Sequence, residues 1–116
     1  MEIAHRPLPR VDVLAVTGRI DVVDTAVLKE ELDKLFDAGH YRILLDLAGL
    51  RYINSAGLRV LVSARKRAQE HKPRSSEPGD VRLVNLPDNI KQVFDLVGFT
   101  GLFDIYDDMV DAVASF

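Results

Sequence analysis

The residues with the most chemical promise are Asn54-Ser55-Ala56-Gly57, where a short turn gives way to a helical pattern. A serine at such a junction can act as a nucleophile, or it can cap the helix. As a cap, its hydroxyl satisfies an orphaned backbone N–H, worth about 1 kcal/mol. The nucleophile reading lacks its companions. A GxSxG elbow needs glycine two residues ahead of the serine, and Ile53 stands there. A triad needs a histidine base. His5, His40 and His71 are widely spaced, sit in loop-like contexts and read as surface residues. They form no i, i+4 pair and no HExxH motif, so no metal site is expected. Neither GxGxxG nor GxxxxGK[ST] occurs, and Gly98-Phe99-Thr100-Gly101 reads as a helix stop and turn. No carboxylate pair stands out as an acid/base couple. The residues alone thus favour Ser55 as the N-cap of a helix, with no catalytic group and no cofactor.

Composition narrows the classes further. The chain has 116 residues, enough for one compact domain, and is 47% hydrophobic, enough for one core. With 28% charged residues and a net charge of −3, it lacks the basic footprint of a nucleic-acid binder. The run Arg65-Lys66-Arg67 reads as a solvated helix face. The absence of cysteine excludes disulfides and Cys-type zinc sites. No stretch is apolar enough to insert in a membrane, and no secretion signal opens the sequence. The expectation is a cytoplasmic protein.

The elements that must position Ser55 follow from periodicity. Val11–Val16 reads as a strand ended by Gly18, with Glu2–His5 as a short hairpin partner. Leu28, Leu32, Leu35 and Phe36 mark one face of a first helix, stopped at Gly39. Tyr41–Leu47 is nearly all apolar and predicts a strand covered on both faces. A short turn follows, then a second helix carrying Leu58, Leu61, Val62 and Arg65, ending before Pro73. The segment His71–Asp80 (HKPRSSEPGD) reads as a flexible loop within the domain. Val81–Val84 is the next strand. A third helix presents Ile90, Val93, Phe94 and Val97, with Asn85 as a candidate cap. Leu102–Tyr106 reads as a last strand. A terminal helix through Val110, Val113 and Phe116 is capped by Asp107 or Asp108. Strands alternating with helices predict an α/β domain: a mixed, mostly parallel sheet of four to five strands packed against about four helices.

Three stretches, in order, resemble one family. Asp46 to Leu61, DLAGLRYINSAGLRVL, is similar to the STAS signature DLSxVxxIDSSGLGVL. Gly18-Arg19-Ile20-Asp21 resembles the family's GELD turn. Asn85 to Leu102, containing Val93-Phe94-Asp95-Leu96-Val97-Gly98-Phe99, is similar to its xRxLFxLTGL helix and turn. STAS domains are the fold of anti-sigma factor antagonists.

The resemblance implies a regulator rather than an enzyme. In that family the serine matching Ser55 is phosphorylated by an anti-sigma factor that is an ATP-dependent serine kinase, and a serine phosphatase resets it. The unphosphorylated form binds the anti-sigma factor and frees the sigma factor. Asp21, Asn54, Ser55, Ala56, Gly57, Leu58 and Arg59 are then the expected partner-binding residues. Asp21 would lie near Ser55, or simply cap the first helix. Gly57 suggests tight packing or an open surface beside Ser55, or ordinary helix-start geometry. Leu58 is an apolar contact or a core residue. Two positions depart from the pattern: Asn54 replaces the usual Asp, and Arg59 replaces a Gly. The same fold also serves accessory roles, as a stressosome component or the STAS partner of a lipid-transport ABC system.

Overall fold

The computed structural model describes residues 1–74 and 77–116. Among the described residues eleven elements follow one another. They are β1 (Glu2–Pro7), β2 (Asp12–Ile20), α1 (Val22–Asp37), β3 (Arg42–Asp46), β4 (Leu50–Ile53), α2 (Ser55–Glu70), β5 (Asp80–Val84), α3 (Asp88–Leu96), a 3₁₀ turn (Thr100–Leu102), β6 (Ile105–Tyr106) and α4 (Met109–Ala114). The strands run in the order β1-β2-β3-β5-β6, and β4 pairs with β2 outside that path. Among the described residues only the β1–β2 hairpin is antiparallel. This is the mixed, mostly parallel α/β sheet that the sequence predicts, with four helices and, among the described residues, six strands rather than four to five.

Why the sheet is buried on both faces follows from β3. Alternate side chains of a strand point to opposite faces. Ile43 and Leu45 enter the larger core, with Leu14, Val81 and Leu83 from neighbouring strands and Leu28, Leu61 and Phe94 from helices α1, α2 and α3. Leu44 points the other way, into a second core with Val11, Val13, Val84 and Ala112 of α4. All three β3 side chains are fully excluded from water. The apolar run of this strand is therefore a consequence of helices on both sides.

Several boundaries differ from those the sequence suggests. Gly18 does not end β2. Its φ of +86° allows a bulge between Gly18 and Arg19, and the strand continues to Ile20. The expected turn before α2 contains β4, whose middle residues Arg51 and Tyr52 are both exposed, so no period-2 alternation betrays it. Asn85 does not cap α3: it takes a left-handed conformation (φ 59°), and Pro87 occupies the N-cap. Leu102 closes a 3₁₀ turn, leaving only Ile105–Tyr106 as strand. Asp108 caps α4, accepting from the Val110 N–H at 3.0 Å, while Val110 itself is exposed and Ala112 fills the core.

The charged residues also take unexpected structural roles. Arg65-Lys66-Arg67 is not simply a solvated face. Arg67 reaches Asp33 and Asp37 of α1 at 2.9 Å each. The bond to Asp37 holds its guanidinium above the ordinary arginine range. Arg65 is half-buried, 3.8 Å from Asp80 and above the Phe103 ring. His5 and His40 are not idle surface groups either: each meets one oxygen of the buried Asp12, at 2.7 and 2.9 Å. His71 stacks on Tyr41 with ring centroids 4.0 Å apart. Of the His71–Asp80 segment, Ser75 and Ser76 lie outside the described residues; Gly79 donates to the His71 carbonyl and Asp80 opens β5. Among the described residues, no helix is long and apolar enough to cross a membrane.

Leu45 lies at the centre of this arrangement, with neighbours on every side. Replacing it with alanine leaves a cavity between β3 and the α1/α2 layer. Urea denaturation of Leu45→Ala is expected to show a loss of about 3 kcal/mol relative to wild type.

Candidate functional site

The parallel strands β2 and β4 end together. Ile20 pairs with Ile53, and both side chains are buried. The next residue of each strand begins a helix: Asp21 is the N-cap of α1, and Asn54 is the N-cap of α2. Two helix N-termini are thereby set side by side at one end of the sheet. The Asn54 N–H donates to the Ile20 carbonyl at 3.2 Å. The Thr25 hydroxyl lies 3.1 Å from the Asp21 carbonyl and 3.4 Å from Asn54 Oδ1, linking the first turn of one helix to the cap of the other.

Ser55 is not the cap. Asn54 Oδ1 accepts from the Gly57 N–H at 2.7 Å and fills that role. Asn54 has the extended φ/ψ of an N-cap, so its short side chain can turn back on the helix. The serine sits one residue later, at the first helical position. It is exposed, and its hydroxyl is free of hydrogen bonds among the described residues. The sequence could not choose between two adjacent residues that both cap well. The structure assigns capping to Asn54 and leaves Ser55 available.

The other expected site residues divide by burial. Asp21 starts α1, accepts no bond from Ser55, and has Arg19 at 3.6 Å; its own N–H donates to Asp24 at 3.0 Å. Asp21 thus stands at the N-cap position of α1, at the end of the sheet where Asn54 begins α2. Ala56 is half-exposed and Arg59 exposed. Gly57 and Leu58 are buried. Leu58 is a core residue, so its side chain is not an exposed apolar contact. A Cβ on Gly57 would come within 2.8 Å of Ile53 and 2.9 Å of Ile20, so the glycine lets α2 seat directly on the paired strand ends.

Neighbours that the motif did not point to complete the surface. Val22 and Val23 at the start of α1 are 79% and 80% exposed, and Val27 is exposed as well. They lie off the Leu28-Leu32-Leu35-Phe36 stripe, and helical periodicity could have singled them out as valines with no core to join. Arg19 lies over the exposed Tyr52 ring at 4.4 Å. Between α1 and α2 runs a groove of about 450 Å³ floored by Leu32, Phe36, Val60 and Ala64, with Ala56 and Arg59 at its Ser55 end. The whole offers an exposed hydroxyl, two positive helix ends and an apolar margin. That combination can bind a protein surface and can tolerate an anion at the serine.

The STAS domain family matches residues 3–112, and the chain belongs to that family. BtrV of Bordetella bronchiseptica, named for anti-sigma factor antagonism, is 30% identical over 104 residues, which cover 90% of this chain and 84% of BtrV. The anti-sigma-B factor antagonist of Bacillus subtilis is 30% identical over 90 residues, 78% of this chain and 76% of that one. Among solved structures, the Bacillus anti-sigma factor antagonist SpoIIAA shares the fold in two states. Its unphosphorylated form has a TM-score of 0.78 at 15% identity, covering 97% of this chain and 93% of that one. Its phosphorylated form has a TM-score of 0.74 at 15% identity, covering 98% of each.

If Asn54 is the cap and Ser55 is free, their substitutions must behave differently. Asn54→Ala is expected to lower stability by about 1 kcal/mol in urea denaturation, whereas Asn54→Asp and Ser55→Ala stay close to wild type.

Proposed function

We propose that this chain is an anti-sigma factor antagonist, and that phosphorylation of Ser55 by an anti-sigma factor serine kinase switches it off. In this reading the kinase is the partner and this chain its substrate. The unphosphorylated protein engages the anti-sigma factor and frees the sigma factor, and a serine phosphatase restores it.

The observation that carries the reading is the exposed, unengaged Ser55 hydroxyl one residue beyond the Asn54 cap. A kinase needs a hydroxyl that can leave the protein's own hydrogen bonds without cost, and among the described residues this one has none to leave. The names of the 30%-identical relatives support the antagonist role. The shared fold with SpoIIAA, solved with and without phosphate, supports a modification that the architecture accommodates.

The contact surface divides its work. Asp21, Ser55, Ala56 and Arg59 face outward, and Val22, Val23 and Val27 give the apolar contact. Asn54 shapes the turn, while Gly57 and Leu58 act from beneath by fixing the seat of α2. A phosphate on Ser55 adds about −1.5 to −2 charges at neutral pH. Within the domain it meets first-turn N–H groups and the positive end of α2, so the fold keeps its stability. On the partner side the same group is a bulky, hydrated dianion inside an interface, and binding is lost.

Incubation with candidate serine kinases of the same genome and ATP, followed by mass mapping, tests the assignment. Modification is expected at Ser55 and is expected to vanish in Ser55→Ala. Ser55→Asp is expected to melt like wild type by circular dichroism while binding the anti-sigma factor at least about tenfold more weakly. Modification elsewhere, or a stable complex indifferent to both substitutions, would instead identify an accessory STAS subunit.

A further inference from the structure

We propose that Arg59 is the internal counter-ion of phosphorylated Ser55, drawn onto the phosphate from an outward-facing position when the serine is modified. The inference rests on Ser55 being the modified residue and goes beyond it by naming the group that receives the charge.

Arg59 follows Ser55 by four residues on α2, so the two side chains lie on one helix face with Cβ atoms roughly 5–6 Å apart. Side chains on a helix lean toward its N-terminus, so the long arginine stem extends over the turn that carries Ser55. The orientation is the favourable one, with the anion N-terminal to the cation. Both residues are exposed. Among the described residues Arg59 makes no hydrogen bond and no ion pair, unlike Arg65, Arg67 and Arg82 of this domain, which are held by carboxylates. The first turn of α2 holds no acidic residue that would compete for it. A guanidinium presents paired N–H donors that match phosphate oxygens, which a lysine ammonium does not.

The charges at the end of β2 and the start of α1 are already engaged. Across the interface Lys29 of α1 pairs with Asp33 at 2.5 Å, Asp24 accepts from the Asp21 N–H, and Arg19 sits between Asp21 and the Tyr52 ring. Arg59 is thus the free cation within helical reach of Ser55 among the described residues. Before modification it is available to a partner at the mouth of the α1/α2 groove. After modification it is held at home. One phosphate then removes two features of the binding surface, the neutral hydroxyl and the outward arginine.

The test installs phosphoserine at position 55 during translation, so it needs no kinase. Phosphorus NMR then follows the second ionisation of the phosphate with pH in wild type, Arg59→Gln and Arg59→Lys. Asp21, Asp24 and Lys29 are common to all three proteins, so the comparison isolates Arg59. The midpoint is expected to lie about 0.3 pH unit lower in wild type than in Arg59→Gln, with Arg59→Lys between them. The difference should shrink in 1 M salt, about the concentration at which screening acts over 3 Å. Equal midpoints in wild type and Arg59→Gln, with both proteins folded by circular dichroism, would overturn the pairing. Failure of every cognate kinase to modify Ser55 would instead overturn the switch itself, and the NMR result would stand apart from it.

Discussion

The pairing of Ile20 with Ile53 governs the end of this molecule where the candidate site lies. Two parallel strands that stop in register must both turn away at the same level, and here each turns into a helix. The positive ends of α1 and α2 therefore coincide at one edge of the sheet, a placement that neither helix could achieve alone. The buried isoleucines fix that level, and Gly57 admits α2 close enough to share it. Everything outward of them, from the Asn54 cap to the exposed valines, inherits its position from this pair.

The division of labour between Asn54 and Ser55 shows how a protein can keep a hydroxyl free where helix ends usually consume one. First-turn N–H groups need acceptors, and a serine at the junction would ordinarily supply one. Asn54 meets that demand, so stability does not depend on the neighbouring oxygen. An aspartate would cap equally well but would set a negative charge beside any incoming phosphate. The amide performs the structural task without that charge.

Much of the fold was legible from periodicity, because burial on one helix face or both strand faces leaves a direct trace in residue type. The Leu28-Leu32-Leu35-Phe36 stripe and the apolar β3 run both reappear as core. Strand β4 was not legible, since its two central residues face water together. Nor was the fate of Asn85 or Gly18: both residue types tolerate a left-handed backbone, but residue type alone does not say that Gly18 sits in a bulge within β2 or that Asn85 precedes the cap of α3. At the site, residue types and motif located the junction. They did not separate cap from free hydroxyl, or tell that Leu58 points inward, because adjacent positions on a helix differ by a rotation that only packing reveals. His5 and His40 looked unremarkable for a similar reason: the carboxylate joining them, Asp12, is distant from His40 in sequence.

The sheet's margins carry a different consequence. Among the described residues strand β1 pairs with β2 alone, and it ends at Pro7, which has no N–H to offer a further strand. At the far margin β6 is two residues long, too short to template another chain. A sheet with long bare borders invites strand-by-strand addition; here Pro7 ends one border and the shortness of β6 limits the other. Lateral strand addition is discouraged while the helix ends stay open, which leaves the end of the sheet, rather than its sides, as the accessible face.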